Sequence, residues 1–511
     1  MATRREAWLA SPATSTFREP LLPVSAHEEH KDSFLDVPDT PSRSSSTRTR
    51  SFSPRRRSAP LLRYGKATSV LFTCALLLCV SCLVLLVHTV TKVGSTLSSQ
   101  DVDVNGTLSK GVTDCPAPAA KQRERSYVLG PPTAKFRDNL RSDTKYITSW
   151  DVAGWTNDVM ALGNMIYLGM LTDRIPIIPP FTPSHVNASA GPVLFSDAFD
   201  IDHLSSVLRI PLVEWHEVKQ QDSKVIDELG CWSVWETAHQ DADGTRKPRG
   251  HRGERTLGLD ISYTPIPDEV SMHTDDHASL WGLAALGFPD YRSRHLAAPR
   301  PSKQSGVLLA PDEQVMCFDI LYYVSVYEPF EYYREYSPAW RDVVSQMRWA
   351  KGLNDLAQGY IRRILAVPEG SHIPPYIAIH FRRGDFMIHC LDWKTDGCFA
   401  TLEMFAKAVS EVQEELWRRK GIRVTHVIMS SDEKDPAWWD EVAALGWRWL
   451  DHEKEQIAEK YGEWYPVLID AVIQSSGVGF VGTDMSTMSL LAAKRTEEWH
   501  EGVSRTVTWN H

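Results

Sequence analysis

From Lys145 to Arg495, short apolar runs alternate with stretches whose apolar residues recur at helical spacing. That alternation constrains the chain most. A strand, a covering helix and another strand close as a parallel sheet with helices on its faces. KYITSWD reads as a strand, followed by a glycine turn. In TNDVMALGNMIYLGMLTD, Val159/Met160, Gly163, Ile166/Tyr167 and Met170/Leu171 share a helix face. RIPIIPPF is the next strand, stopped by its prolines. After a polar, irregular stretch at 240–310 the rhythm returns. Helices are expected at 345–365, 401–421 (ending at Gly421), in PVLIDAVIQSS and in MSTMSLLAAKR; strands are expected in PYIAIHF, VTHVIMS, GWRWLDH and VGFVG. The fold class is α/β, with two Rossmann-like domains facing a cleft, over residues 143–344 and 345–511.

The rest of the chain sets topology. Ala67 to Val90 holds 24 residues without Asp, Glu, Lys or Arg. As a helix it spans roughly 36 Å, enough for the ~30 Å hydrocarbon layer. Arg43 to Lys66 carries eight Lys/Arg and no acid, which puts that side in the cytoplasm. The reading is a disordered basic tail (1–66), a transmembrane signal-anchor helix in contact with membrane lipid (67–90), a lumenal stem (91–142) and a lumenal folded part. Sequons at Asn105 and Asn187 fall on the lumenal side. This is a single-pass type II protein of the secretory pathway, placed in the Golgi rather than the endoplasmic reticulum. The formal charge is −10, with the tail at +5 and the remainder at −15, so nucleic acid is not an expected partner. Of five lumenal cysteines, Cys390 and Cys398 flank a short loop and are the expected disulfide pair; Cys115, Cys231 and Cys317 are the others. The CxxC at Cys79 and Cys82 lies in the apolar segment, the lumenal cysteines have no such spacing, and no HExxH occurs, so nothing suggests zinc.

Four stretches carry chemistry. In IAIHFRRGDF the strand Tyr376–Phe381 ends in Arg382 and Arg383. Ligands of open parallel sheets bind beyond the carboxyl ends of strands, and arginine's planar fork matches phosphate oxygens. Alternation sends His380 and Arg382 to one face and Phe381 and Arg383 to the other, where Asp385 or a neighbouring acid orients Arg383. The plainer alternative is an ion pair at a strand end. In FVGTDMSTMSLLAAKR, Gly482, Thr483, Ser486, Thr487 and Ser489 lead into a helix whose N-terminus is either an anion site or a simple cap. Asp432 in SSDE either meets a nucleobase or ribose or caps the helix that follows. In the loop Gly154-Trp-Thr-Asn157-Asp158, glycine permits close backbone approach, Asn157 can donate to a reacting oxygen, and Asp158 is a candidate base; loop and cap chemistry is the alternative.

Taken in order, GWTNDVMALGNMIYLGMLTDRIPIIPPF, IHFRRGD, VIMSSDE and LIDAVIQSSGVGFVGTDMSTMSL resemble the GDP-fucose protein O-fucosyltransferase superfamily, in a fungal-type membrane-anchored form. The likeness spans roughly 145–495 and is poor at 240–310. It implies a GT-B-like fold and inverting, metal-independent transfer from GDP-fucose to a protein Ser/Thr or glycan hydroxyl, with no cofactor. On it, Arg382 matches the arginine that holds the β-phosphate as GDP leaves. His380 and Asp432 match donor contacts, with Gly154, Arg383, Thr483 and Ser489 beside them. Ser486 and Thr487 match the phosphate-binding turn, and Asn157 the asparagine near the reaction centre. The chain departs from the usual Asn-Gln or Asn-Asn pair with Asn157-Asp158, which leaves the base open. The alternatives are another GDP-sugar as donor, or an inactive relative that binds sugar or acts as a scaffold. Of the Asp-x-Asp patterns, Asp200/Asp202 matters only if the first domain holds the donor.

Overall fold

The computed structural model describes residues 127–509, except 152, 240–243, 250–251, 273–276, 335–336, 385 and 387–398. The tail, the apolar segment 67–90, residues 91–126 of the stem, Asn105, Asp385 and the Cys390/Cys398 pair lie outside the described residues. Residues 127–142, expected as stem, belong to the folded part instead, because Val128, Phe136 and Leu140 are buried in an apolar cluster with Tyr146 and Trp215. Among the described residues no helix is long and apolar enough to cross a membrane.

Fourteen strands are described. β1 (Tyr146–Ser149), β2 (Ile175–Ile178), β3 (Val213–Glu214), β4 (Asp227–Ser233), β5 (Leu259–Pro265) and β8 (Val315–Phe318) form a sheet in the order β3-β2-β1-β8-β4-β5. β6 (Ser271–Met272), β7 (His277–Ser279) and β9 (Val324–Ser325) make a small separate one. β10 (Tyr376–Phe381), β11 (His426–Ser431), β12 (Arg448–Trp449), β13 (Gly479–Thr483) and β14 (Val503–Val507) follow the order β12-β11-β10-β13-β14. Every pairing within the two larger sheets is parallel. In the second, the chain winds outward through β10, β11 and β12 and then returns to wind the other way through β13 and β14; in the first, β1, β2 and β3 wind one way, β4 and β5 form the far edge, and β8 inserts between β1 and β4. The reversal falls between β1 and β8 in the first sheet and between β10 and β13 in the second. Such switch points leave a crevice at the strand carboxyl ends.

The helices follow from capping and burial. α1 (Trp155–Thr172) is buried along nearly its whole length and stops at Asp173, in the left-handed conformation at φ 52°. α2 (Lys351–Leu365) is shorter than the 345–365 pattern predicts, because Val344–Gln346 forms a separate 3-10 turn. α3 (Leu402–Lys420) has its Thr401 hydroxyl on the Met404 N–H, places Arg418, Arg419 and Lys420 at its negative end, and is stopped by Gly421 at φ 66°. α4 (Pro436–Ala444), α5 (Tyr465–Ser476) and α6 (Thr487–His500) complete the second half. The stretch 240–310 is not irregular throughout: it supplies β5 and the helices Leu280–Ala285 and Pro289–Arg294. The disulfide among the described residues joins Cys231 on β4 to Cys317 on β8.

Both larger sheets belong to one compact unit. One apolar cluster contains residues of both halves, including Ile147, Met165, Phe199, Trp349, Ala378, Leu468, Phe480 and Leu491. Across it runs an aromatic stack. Trp155 lies 6.0 Å from Phe199, and Phe199 lies 5.2 Å from Trp349. The fully buried Arg495 guanidinium sits 4.5 Å over Trp349. Burying each such ring contributes roughly 1.5–3 kcal/mol. The stack therefore fixes the start of α1, at Trp155, against α6, which carries Arg495.

Candidate active site

The second sheet's switch point is built by hydrogen bonds between β10 and β13. The Thr483 hydroxyl donates to the His380 carbonyl (3.0 Å) and accepts from the Arg382 N–H (2.8 Å). The Thr483 N–H donates to Ser489 Oγ (3.0 Å), and that hydroxyl lies 2.8 Å from His380 Nδ1. Which of the two donates depends on the imidazole tautomer. Burial, with Arg382 nearby, lowers the His380 pKa to about 3, so the ring is neutral. Ser486 caps α6 by accepting from the Ser489 N–H (3.3 Å). Gly482 is required here: a Cβ would come within 2.7 Å of Ser489 Cβ. Thr483 and Ser489 thus turn their hydroxyls inward and hold the strand end and the imidazole.

The two arginines go to opposite faces, as alternation requires. Asp432, just beyond β11, meets Arg382 Nη1 at 2.5 Å and accepts from the Arg383 N–H at 2.8 Å. Arg383 Nε reaches Glu433 at 2.7 Å, and its guanidinium lies 5.9 Å from the Phe381 ring and 5.5 Å from Trp438. Glu433 is thus an acid that orients Arg383. Asp432 does not cap the following helix; Asp435 does, through the Ala437 N–H. Both Asp432 oxygens are engaged with the arginine pair. Asp200 likewise serves as a helix cap, accepting from the His203 N–H.

Opposite stands the start of α1. Trp155, Thr156, Asn157 and Asp158 form its first turn rather than a loop. Gly154 has an ordinary φ of −60°, and a Cβ there would stand 3.4 Å from His185, so the fold itself does not demand glycine. Thr487 opens α6 and joins the halves: its Oγ1 donates to Asn157 Oδ1 (2.6 Å) and lies 2.7 Å from Thr156 Oγ1. Two helix N-termini therefore meet at one point. Each carries about half a positive charge, so their junction favours an anion. Tyr333 borders the same turn, its hydroxyl 3.4 Å from the Met485 carbonyl.

Asp158 turns away from that junction. It is buried and accepts from the Ala153 N–H (3.1 Å). Burial, with Asp151 beside it, raises its pKa well above the carboxylate range. Sequence reasoning missed Asp151, Thr156 and Tyr333, and it expected an acid beside Arg383 without naming Glu433. An acid closing a strand (TSWD) and a hydroxyl preceding Asn157 were the available signals.

No family model and no curated protein matches the chain. Among solved structures it is similar to POFUT1 in complex with GDP-fucose, at 13% identity over 72% of this chain and 98% of that chain, with a TM-score of 0.45. It is also similar to NodZ alpha-1,6-fucosyltransferase soaked with GDP-fucose, at 11% identity over 68% and 92%, with a TM-score of 0.34.

Proposed function

We propose that the protein is a glycosyltransferase that moves fucose from GDP-fucose to a hydroxyl acceptor, with inversion and without a metal. The observation that carries this reading is the meeting of the α1 and α6 N-termini at Asn157 and Thr487. The second sheet's switch point, where Arg382 stands, belongs to the half that supplies α6. Breaking the sugar–phosphate bond leaves negative charge on GDP. Helix N–H groups and a guanidinium stabilise that charge as it develops. In this reading Arg382 takes the β-phosphate, and Ser486 and Thr487 present the turn that cradles the diphosphate. His380, Thr483, Ser489, Arg383 and Asp432 keep the arginine and the turn in place, and Asn157 stands beside the anomeric carbon. Residues 345–511 form the donor side and 143–344 the acceptor side. The segment 67–90 anchors the enzyme in a secretory-pathway membrane with its catalytic part in the lumen.

Calorimetric titration of GDP, GDP-fucose, GDP-mannose and UDP, with and without EDTA, tests the reading. GDP and GDP-fucose should bind insensitively to EDTA, and Arg382→Ala should weaken both by ~2 kcal/mol, as expected for a lost charged hydrogen-bond donor. A preference for GDP-mannose would move the donor to another GDP-sugar. Failure to bind any guanine nucleotide would overturn the transferase.

A further inference from the structure

Arg382 and Arg383 are each answered by a carboxylate, and Arg495 is not. Arg495 is 1% exposed, and its Nε and Nη2 have no hydrogen-bond partner among the described residues. Burial alone lowers its pKa, to about 9, and no carboxylate acts on it in the other direction. The guanidinium is therefore charged at neutral pH. Three rings stand where a counter-ion would be expected: Trp349 at 4.5 Å, Trp499 at 5.5 Å and Phe199 at 5.7 Å. Ring faces attract a cation through their quadrupoles but carry no net charge. The cage thus holds the guanidinium in the core without cancelling its field. A methionine of similar length would bury there more easily, because a buried charge without a counter-ion is costly. Packing alone does not call for arginine at this position.

We propose that Arg495 is a fixed, uncompensated charge that draws a diphosphate to the N-terminus of α6 without touching it. Arg495 lies eight residues beyond Thr487 on the same helix. At 1.5 Å of rise per residue, that puts it roughly 12 Å from the helix start. Leu491 and Ala492 lie between the two, buried in the apolar cluster that also holds Phe199 and Trp349. Solvent ions screen a charge in such surroundings less than one at the surface. At ~12 Å and an effective dielectric constant of about 20–40, each unit of ligand charge changes affinity about three- to tenfold. Arg382 acts at contact distance and is partly neutralised by Asp432; Arg495 acts from behind the turn and is neutralised by nothing among the described residues. The inference rests on the donor reading only in naming GDP as the anion.

The test uses the whole chain in detergent and ligand-observed NMR with guanosine, GMP, GDP and inorganic diphosphate, on the wild type and on Arg495→Met. The loss in the variant should follow ligand charge. Guanosine should lose nothing, and GMP and GDP should lose about three- to tenfold for each unit of charge they carry. Inorganic diphosphate should lose about as much as GDP. Arg495→Gln, also neutral, decides if Arg495→Met does not fold. A loss as large for guanosine as for GDP would mark a structural role and overturn the inference. Equal GDP affinity in variant and wild type would overturn it and leave the donor reading intact. If neither neutral variant folds, the charge serves the fold and the inference is overturned too. Wild-type binding of inorganic diphosphate but of no guanine nucleotide, weakened in the variant, would support this charge while refuting the donor reading. Binding of neither would overturn both.

Discussion

Ser489→Ala is the most informative single change, because one hydroxyl holds three parts of the site. Ser489 Oγ accepts from the Thr483 N–H at 3.0 Å and meets His380 Nδ1 at 2.8 Å, and all three residues are buried. Truncation leaves the Thr483 N–H and His380 Nδ1 without this partner, at ~1–3 kcal/mol each. Ser486 Oγ stands 3.5 Å from Nδ1 and can recover part of the second loss. The expected net cost is therefore about 2–4 kcal/mol, concentrated where β13 meets α6. Hydrogen exchange read on a peptide covering 479–489 localises it: protection of the Thr483 amide should fall by ~30-fold or more. Thr483 in turn carries the Arg382 N–H, so GDP affinity should fall by about tenfold or more. Unchanged exchange at Thr483, together with GDP affinity within about twofold of wild type, would refute the claim that this hydroxyl network holds the arginine.

Other perturbations separate the remaining claims. Thr487→Val removes the contacts to Asn157 and Thr156. Turnover of GDP-fucose should drop by about tenfold or more while GDP affinity changes less, and Asn157→Ala should add little to it, because the two act as a unit. His380 has a folded pKa of about 3 against an ordinary 6.5. The unfolded chain therefore binds the proton first, so this contribution is complete above pH ~6.5 and is lost as pH falls towards 3. Acid unfolding curves should be shallower over that window for His380→Gln. Cys231 and Cys317 close a loop with a sequence separation of 86. Replacing both by serine should cost about 2–5 kcal/mol, seen as a lower thermal midpoint, and reductant should reproduce the drop in the wild-type protein.

The strands around the second switch point were legible because each is a contiguous apolar run with its polar residues at the carboxyl end. Tyr376–Phe381 stands where the alternation put it, and Gly421 ends its helix in the left-handed conformation. What could not be read is long-range. β8 inserts between β1 and β4, far from either in the chain, and no local pattern encodes that neighbour choice. β5 was hidden because its short run, LDISYTP, sits among polar loops. Within the site, residue types were easier to find than their partners. A serine or threonine before a helix reads as a cap or as a ligand, and only distance shows that Thr483 and Ser489 point inward while Thr487 reaches Asn157, 330 positions away. The same holds for Asp158. Its position beside Asn157 suggests a base, but its direction, into the first crevice, is a property of the helix.

The two arginines that follow β10 divide their tasks. Arg383 is committed to the fold, tied to Glu433 and surrounded by aromatic rings. Arg382 pairs with Asp432, and both side chains keep about a quarter of their surface, 22% and 26%. At that exposure the pair neutralises its own charge without a full desolvation penalty. The two helix N-termini add roughly one positive charge. An arriving diphosphate brings more negative charge than Asp432 offers, and it meets a guanidinium whose backbone is already fixed by Thr483. In the proposed reaction, Asp432 holds Arg382 in position for the β-phosphate. Little is left to reorganise when charge develops on the leaving group, which is the condition under which fixed charges accelerate a transfer.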